Sequence, residues 1–282
     1  MRRIFAISLW LLTAATVVLF ISGRWQWPRL IAAHGVAIDR QFTLTWTVIG
    51  VAFILTQALL GFVVWRFSNQ SDESRRVYPT SHKSLEIFWT VATAVIFIGL
   101  AVTGQRVWRN FHFAAAPAAP FRVEVWGQQF AWHFHYAGAD ERLGRNLPEL
   151  MNDAGGNSIG LDRQNDPAAL DDIVAPTLVM PLNRPTELTL RARDVIHSLW
   201  LPNMRFKQDA VPGLSIRAYL TPTAPGLYDI ACAELCGPQH YKMKARLLAL
   251  PDEEFRALMS LAPDQWPAKR DELAAKYQTQ QK

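Results

Sequence analysis

The chain has 282 residues, of which 50% are hydrophobic and 19% are charged. Charged residues usually make up about a quarter of a soluble domain, so this composition favours a membrane protein. The formal net charge is +5, but Lys and Arg form no continuous stripe, and the charge therefore gives no indication of nucleic-acid binding. The length is sufficient for membrane segments and one further domain.

Three uncharged segments early in the chain predict membrane-spanning helices, because such a helix needs about 20 apolar residues. The first segment follows a basic amino terminus and also has the form of an export signal. No clear A-x-A cleavage motif follows it, which favours a retained helix. We predict a membrane anchor over residues 1–105, with spans at about 4–22, 42–65 and 87–105.

Basic residues predict the orientation of these helices. The loop 66–86 contains Arg66, Arg75, Arg76 and Lys83, and the amino terminus is basic as well. By the positive-inside rule, both would lie in the cytoplasm if all three segments cross the bilayer. The chain after residue 106 would then lie on the outer side of the membrane.

After residue 106, short segments typical of β-strands replace the long apolar runs. FRVEVWGQQFAWHFHYAG alternates in polarity, and TLVMPL, TELTLRAR, SIRAYLTP, GLYDIAC and KARLLAL follow, separated by Pro and Gly. This pattern predicts an antiparallel β-sandwich or barrel over residues 106–251, and hence an α+β membrane protein. Residues 252–282 have a helical pattern that is interrupted near Pro263 and Pro267.

The segment 140–172 is polar and acidic, with eight Asp and Glu residues against three Arg. One interpretation is a solvated insertion between strands. The other is an acidic face that steers a basic partner toward the protein.

The two cysteines of the chain, Cys232 and Cys236, lie in a segment rich in metal-binding side chains. With His240 and Met243 they form the pattern C-x-E-x-C-x3-H-x2-M. Thiolate, thioether and imidazole donors together select copper over calcium or magnesium. A mononuclear blue-copper site uses one Cys, so the second Cys indicates two thiolates shared between two metal ions. For the two cysteines alone, a disulfide is the alternative, because exported proteins meet an oxidising compartment.

A second segment supplies a further nitrogen donor, His197, within the sequence DVIHS, and KQDAVPG follows at residues 207–213. Together with the cysteine segment, this pattern resembles subunit II of the haem-copper oxidases, the copper-bearing subunit of cytochrome c oxidase. The family has D-V-x-H-S, then K-x-D-A-x-P-G, then C-x-E-x-C-G-x-x-H-x-x-M. The resemblance implies a cupredoxin-like fold for residues 106–251.

The resemblance also implies a dinuclear copper (CuA) centre with two bridging thiolates, two capping imidazoles, one weak thioether and one weak backbone carbonyl. In that order, the ligands would be Cys232, Cys236, His197, His240, Met243 and Glu234. The carboxylate of Glu234 would in addition help to hold a magnesium ion shared with subunit I. The remaining histidines have no such spacing and are predicted to be ordinary polar or interfacial residues; among them are His34, His82, His112, His133 and His135.

The function implied by the resemblance is one-electron transfer in a bacterial inner membrane. Cytochrome c or a similar donor would reduce the copper centre, and the electron would pass to haem in subunit I for reduction of oxygen to water. Subunit III would be a further partner. Two alternatives remain open: the CuA-bearing subunit of a nitric oxide reductase, and a membrane-anchored copper-binding protein.

Two other positions are interpreted from the same resemblance. SLEIFWT resembles the family pattern L-E-I-x-W-T, which makes Glu86 either a proton entry point or a helix-end carboxylate. Many family members have G-H-Q-W-x-W, in which the first Trp is where electrons enter, and residues 127–132 here read GQQFAW. Phe130 takes the place of the first Trp and is either a contact for the donor or a residue packed on a strand. Trp132 is a second candidate contact.

Overall fold

The chain forms two compact units in the computed structural model, which describes residues 2–23, 27–67 and 81–279. Met1–Trp27 and Ala37–Phe113 form the first unit, and Pro28–Val36 and Ala114–Lys282 form the second. Arg75 and Arg76, on which the predicted orientation partly depends, lie outside the described residues.

The first unit is built from three long helices: α1 (Arg2–Ile21), α2 (Gly35–Arg66) and α3 (Lys83–His112). Each is long and apolar enough to cross a membrane, as the sequence predicts. α2 and α3 extend beyond the predicted spans. The prediction followed only the uncharged runs, whereas helical hydrogen bonding continues through the flanking polar residues.

Aromatic side chains pack α1 along α2. The Trp10 indole donates from Nε1 to the carbonyl of Ala58 at 3.4 Å, and its ring stacks on Trp65 with centroids 6.1 Å apart. Gly61 makes room for this indole, because a Cβ at that position would collide with it. A retained helix would use such packing, and retention of α1 stays a prediction.

The second unit contains two five-stranded sheets. The first has the order β3 (Ile173–Ala175), β2 (Ala131–Tyr136), β1 (Phe121–Gln128), β5 (Thr186–Ala192), β8 (Ile216–Leu220). The second has the order β4 (Thr177–Pro181), β10 (Lys244–Leu250), β9 (Gly226–Cys232), β6 (His197–Leu201), β7 (Phe206–Ala210). β2 contacts β4 and β10, and β5 contacts β7, so the two sheets pack on each other as a sandwich.

The prediction of a two-layer β-domain is confirmed, but its strands are not all antiparallel. β1 pairs with β5 and β10 pairs with β4 in parallel register. Direction of pairing depends on which distant strands become neighbours, and the alternation of side chains along one strand does not encode it. The sequence analysis also missed β3, β6 and β7, which have only 3, 5 and 5 residues.

The acidic segment 140–172 is not a fully solvated insertion. Ile159, Leu161 and Ala169 are buried against Trp126 of β1. Two of its carboxylates, Asp162 and Asp172, are also buried. The segment therefore forms part of the folded domain, and only some of its acidic side chains face solvent.

Two helices follow β10, as predicted for the tail: α4 (Asp252–Met259) and α5 (Trp266–Thr279). The Phe255 ring packs edge-on against Phe121, with centroids 4.8 Å apart. Trp266 is fully buried and lies 5.7 Å from Tyr136. Pro267 falls in the first turn of α5, where a helix tolerates proline because the backbone N–H has no partner there.

Candidate metal centre

The candidate centre lies at one end of the second sheet, where β6 begins and β9 ends. We call residues 232–243, which connect β9 to β10, the metal loop. Antiparallel pairing of β6 with β9 places Leu199 opposite Cys232 and so brings His197 near the first cysteine. The loop is closed by a hydrogen bond from the Cys232 N–H to the Met243 carbonyl at 3.1 Å.

The structure brings together all six groups that the sequence analysis proposed as ligands. The two Sγ atoms are 3.9 Å apart. Cys232 Sγ lies 4.0 Å from His197 Nδ1 and 3.3 Å from the Glu234 carbonyl oxygen. Cys236 Sγ lies 3.6 Å from His240 Nδ1 and 3.8 Å from Met243 Sδ. The donors thus surround one small space from opposite sides.

The two cysteines are free thiols in this structure. A disulfide requires the sulfur atoms to be about 2.0 Å apart, and here they are 3.9 Å apart. The arrangement leaves both sulfurs available as separate donors.

Most of these donors are shielded from water. His197 is 0% and Met243 1% exposed, and the two cysteines are 8% and 4% exposed. The rim of the metal loop is different, because Leu235 is 79% and Tyr241 71% exposed. The centre therefore lies in a shielded interior beneath an exposed rim.

A carboxylate fixes the orientation of the His197 ring. His197 Nε2 lies 2.8 Å from Asp194 Oδ1, so Nε2 donates the proton. Nδ1 is then the nitrogen with a free lone pair, and it points toward Cys232. Such a carboxylate–histidine pair is common behind metal ligands, since it selects the tautomer and makes the ligand more basic.

The two thiols differ in acidity. Burial alone would raise the pKa of Cys232, but the neighbouring His197 ring and hydrogen bonds from the backbone at Glu234 and Ser198 outweigh it and lower the pKa to about 6. Burial and the nearby Cys232 charge raise the pKa of Cys236 to about 11. Without a cation, the pair therefore holds one negative charge, and a metal ion would have to displace the second proton.

The hairpin of β1 and β2 packs against the centre. A Cβ on Gly127 would lie 2.9 Å from Cδ2 of His197. The Trp132 ring meets the His197 ring edge-on, with centroids 5.9 Å apart. Trp132 is only 1% exposed, because its strand position turns the ring inward, and its contact with an electron donor stays a prediction. Phe130 is half-buried and packs on Gly237 of the metal loop.

Glu86 lies in the other unit, in the first turn of α3, and is exposed. Its backbone N–H donates to the His82 carbonyl at 3.0 Å, as expected at the start of a helix. Both interpretations of Glu86 remain compatible with this position.

Sequence reasoning missed two polar features. It assigned no role to Gln129, although its side chain reaches the metal loop. It also classed His135 as an ordinary residue, whereas His135 is completely buried between two carboxylates. The alternation of β2 predicts that His135 and Trp132 point to opposite faces, but no sequence signal identifies the distant partner Asp172.

Two family models match this chain. The model for the transmembrane domain of cytochrome c oxidase subunit II matches residues 37–107. The model for the periplasmic domain of the same subunit matches residues 121–249. Together they cover most of α2 and α3 and nearly all of the sandwich.

Individual relatives give the same result. The alternative cytochrome c oxidase subunit 2 of Bradyrhizobium diazoefficiens is 31% identical over 254 residues, 89% of either chain. Cytochrome c oxidase subunit 2 of a Synechocystis species is 29% identical, covering 81% of this chain and 73% of the relative. The crystal structure of the periplasmic domain of subunit II of cytochrome oxidase from Bradyrhizobium japonicum covers 53% of this chain and 98% of its own, at 22% identity and a TM-score of 0.38. The chain belongs to the family of cytochrome c oxidase subunit II, which implies copper at this centre.

Proposed function

We propose that the six donor groups of the centre hold two copper ions. Two thiolates, two imidazoles and a thioether form the kind of donor set that copper prefers. The observation that carries the proposal is the symmetry of the sulfur pair. The Sγ atoms are 3.9 Å apart, and each has one histidine Nδ1 beside it, at 4.0 Å and 3.6 Å. Each ion of a pair would thus find both thiolates and one imidazole.

The bound copper pair would supply one-electron chemistry, with the charge shared between two ions. The protein's own contribution is to keep the donors in place. The Cys232–Met243 hydrogen bond closes the metal loop, and Asp194 holds the His197 ring. Burial of the donors excludes water that would otherwise reorganise with each change of charge. When the donors and the surrounding water move little as the charge of the centre changes, electron transfer is fast.

We propose that cytochrome c, or a similar donor, delivers electrons to this centre and that subunit I receives them at a haem. Subunit III is a further proposed partner. The exposed side chains of Leu235 and Tyr241 on the metal loop support a protein contact at this end, since exposed apolar groups commonly mark such contacts. We further propose that the chain lies in the bacterial inner membrane with the β-domain on the periplasmic side; the three apolar helices support the membrane location.

The carboxylate of Glu234 is proposed to take part in a magnesium site shared with subunit I. Glu234 is exposed, and a hard carboxylate oxygen suits magnesium. The substitution Glu234→Gln removes the charge but keeps the backbone carbonyl beside Cys232. It should lower the magnesium content of the complex and leave the copper content unchanged; equal magnesium would remove this assignment.

Glu86 is proposed as the entry point for protons used by the catalytic subunit. Glu86→Gln should slow turnover of the complex while reduction of the copper centre keeps its rate, because only the proton supply is altered. Equal turnover in the variant and the wild type would leave Glu86 as a helix-end carboxylate. The helix dipole stabilises such a negative charge at a helix amino terminus.

The test of the proposed function is purification of the intact complex from native membranes. We expect a haem-bearing subunit I and consumption of oxygen that depends on reduced cytochrome c. Reduction of nitric oxide in place of oxygen would instead assign the chain to a nitric oxide reductase. Isolation without a haem partner, with copper that exchanges readily, would indicate a copper-binding carrier and contradict the proposal.

A further inference from the structure

We infer that Gln129 is a positioning residue that ties the metal loop to the His197 segment. This inference rests on the proposed copper centre, but it concerns a residue that donates nothing to the metal. Gln129 lies in the turn between β1 and β2, far along the chain from both ligand segments. It is nevertheless hydrogen-bonded to each of them.

The side chain of Gln129 holds the second cysteine. Its Nε2 donates to the carbonyl oxygen of Cys236 at 2.6 Å. The carbonyl belongs to the peptide that joins Cys236 to Gly237, so the hydrogen bond fixes the plane of that peptide. The direction of the Cys236 Cα–Cβ bond, and hence the position of Sγ, depends on this plane.

The backbone of Gln129 holds the carboxylate behind His197. Its N–H donates to Asp194 Oδ2 at 2.7 Å, while Asp194 Oδ1 lies 2.8 Å from His197 Nε2. One residue therefore connects Cys236 on one side with the His197 partner on the other. Such outer contacts matter to a metal site because they orient the ligands themselves.

The turn also lies in close contact with the metal loop at Gly237. Gly237 has φ +135°, which favours glycine, and a Cβ there would lie 2.9 Å from Gln129 Nε2 and 3.0 Å from Cζ of Phe130. The turn thus lies directly on the backbone of the metal loop. Glycine at position 237 permits both the backbone conformation and this approach.

The neighbouring Gln128 provides a matched control. Its side-chain amide interacts with Arg193 and Asp153 and not with the metal loop. Gln128 and Gln129 thus offer the same chemistry, one residue apart, with different partners. Replacing Gln129 by Glu puts a carboxylate, which is an acceptor, where the Cys236 carbonyl needs a donor. The hydrogen bond from the backbone N–H of residue 129 to Asp194 is kept.

The experiment measures copper release from the full-length chain in detergent, with a Cu(I) chelator added to the reduced protein. We expect Gln129→Glu and Gln129→Ala to release copper about tenfold faster than the wild type, in the range usual for lost outer contacts. We also expect altered copper hyperfine splitting in their EPR spectra. Gln128→Glu and Gln128→Ala should match the wild type in both measurements, and all four apoproteins should melt within a few degrees of it.

Release and EPR spectra that are the same for the Gln129 and Gln128 variants would overturn the inference. So would a Gln129→Ala chain that does not fold, because the residue would then support the domain rather than position the ligands. Absence of copper from the wild type would instead refute the proposed centre, so the two failures are distinguishable.

Discussion

His197 and His135 are both 0% exposed, yet they have opposite surroundings. Both ring nitrogens of His135 meet carboxylates: Nδ1 lies 3.1 Å from Glu124 Oε2, and Nε2 lies 2.6 Å from Asp172 Oδ2. His197 has one carboxylate partner, Asp194, while its other nitrogen points to a thiol 4.0 Å away. The first ring is saturated with hydrogen bonds, and the second keeps a lone pair for a metal ion.

The difference shows that the partners of a buried histidine, not its burial, decide what it can do. Two acceptors require two donors, so His135 is an imidazolium that carries its charge inside the domain. Desolvation alone would lower the pKa of His135, but the hydrogen bonds and charges of Asp172 and Glu124 outweigh it and raise that pKa. A protonated ring of this kind has no lone pair and cannot bind a metal.

His135 also joins parts of the fold that are distant in the sequence. Asp172 accepts from the N–H of Gly144 at 2.7 Å and of Gly138 at 3.3 Å, which anchors the acidic segment to β2. Glu124 on β1 is further paired with Arg191 on β5 at 3.3 Å. The His135 network is therefore structural, whereas the His197 cluster is arranged for chemistry.

Substitutions in the His197 cluster and in the His135 network should differ most in their effect on copper content. Cys236→Ser should remove the dinuclear copper centre entirely, because a hydroxyl does not replace a bridging thiolate. His135→Gln should leave the copper content per folded chain unchanged. Metal analysis of both purified variants checks this. Retention of two coppers by Cys236→Ser would contradict a bridging role for the Cys236 thiolate.

Asp172 and its neighbour Asp171 should contribute very differently to the stability of the domain. Asp172→Asn should destabilise the domain by about 3 kcal/mol, because it leaves the buried imidazolium short of a counter-charge. Asp171→Asn should cost less than about 1 kcal/mol, since Asp171 is only half-buried and accepts one weak hydrogen bond from the Asp140 N–H. Denaturant unfolding of the full chain in detergent measures both. Equal losses would contradict the special role of Asp172.

The pH dependence of stability should follow the same network. The pKa of His135 is raised above its ordinary 6.5, so its contribution is complete below about pH 6.5 and is lost as pH rises through the folded-state value. Burial opposes ionisation of Glu124, but hydrogen bonding to His135 and the charges of Arg191 and His135 lower its pKa below 4.5. Its contribution is complete above about pH 4.5 and is lost in more acidic solution.

Stability from this network should therefore be greatest between about pH 4.5 and 6.5. Melting temperatures of the copper-free chain, measured within this range and on both sides of it, check the prediction. His135→Gln should reduce the decline on the alkaline side, and an unchanged profile in that variant would assign the decline to other groups.

The smallest expected effects concern electron entry. Asp140, Glu141 and Glu149 are exposed, whereas Asp172, which the sequence alone would place on the same acidic face, is buried. Neutralising the three exposed residues should slow reduction of the centre by the native donor about tenfold at low salt, with the difference vanishing at high salt. Phe130→Ala should slow it less, because the ring already packs on Gly237.

Stopped-flow kinetics at two ionic strengths measures both changes. If Phe130→Ala proves the more damaging substitution, the entry role belongs to Phe130 and the steering role of the acidic segment is wrong.

The sequence predicts the centre well because five of its six donors lie within twelve consecutive residues, 232–243. It predicts His197 only through the family resemblance, since that residue reaches the loop by pairing of β6 with β9. It does not predict the burial of Asp172, because its partners His135, Gly138 and Gly144 are 28 or more residues away and meet it only in the folded domain. β6 and β7 are missed for a related reason: HSLWL and FKQDA are short and lack clear alternation.

The proposed centre holds two copper ions that share one unpaired electron. EPR spectroscopy of the copper-loaded full-length chain tests this most directly. We expect a mixed-valence spectrum with more than four hyperfine lines, because the unpaired electron would couple to two copper nuclei. A four-line spectrum with one copper per chain, or a disulfide between Cys232 and Cys236 in the metal-loaded protein, would contradict it.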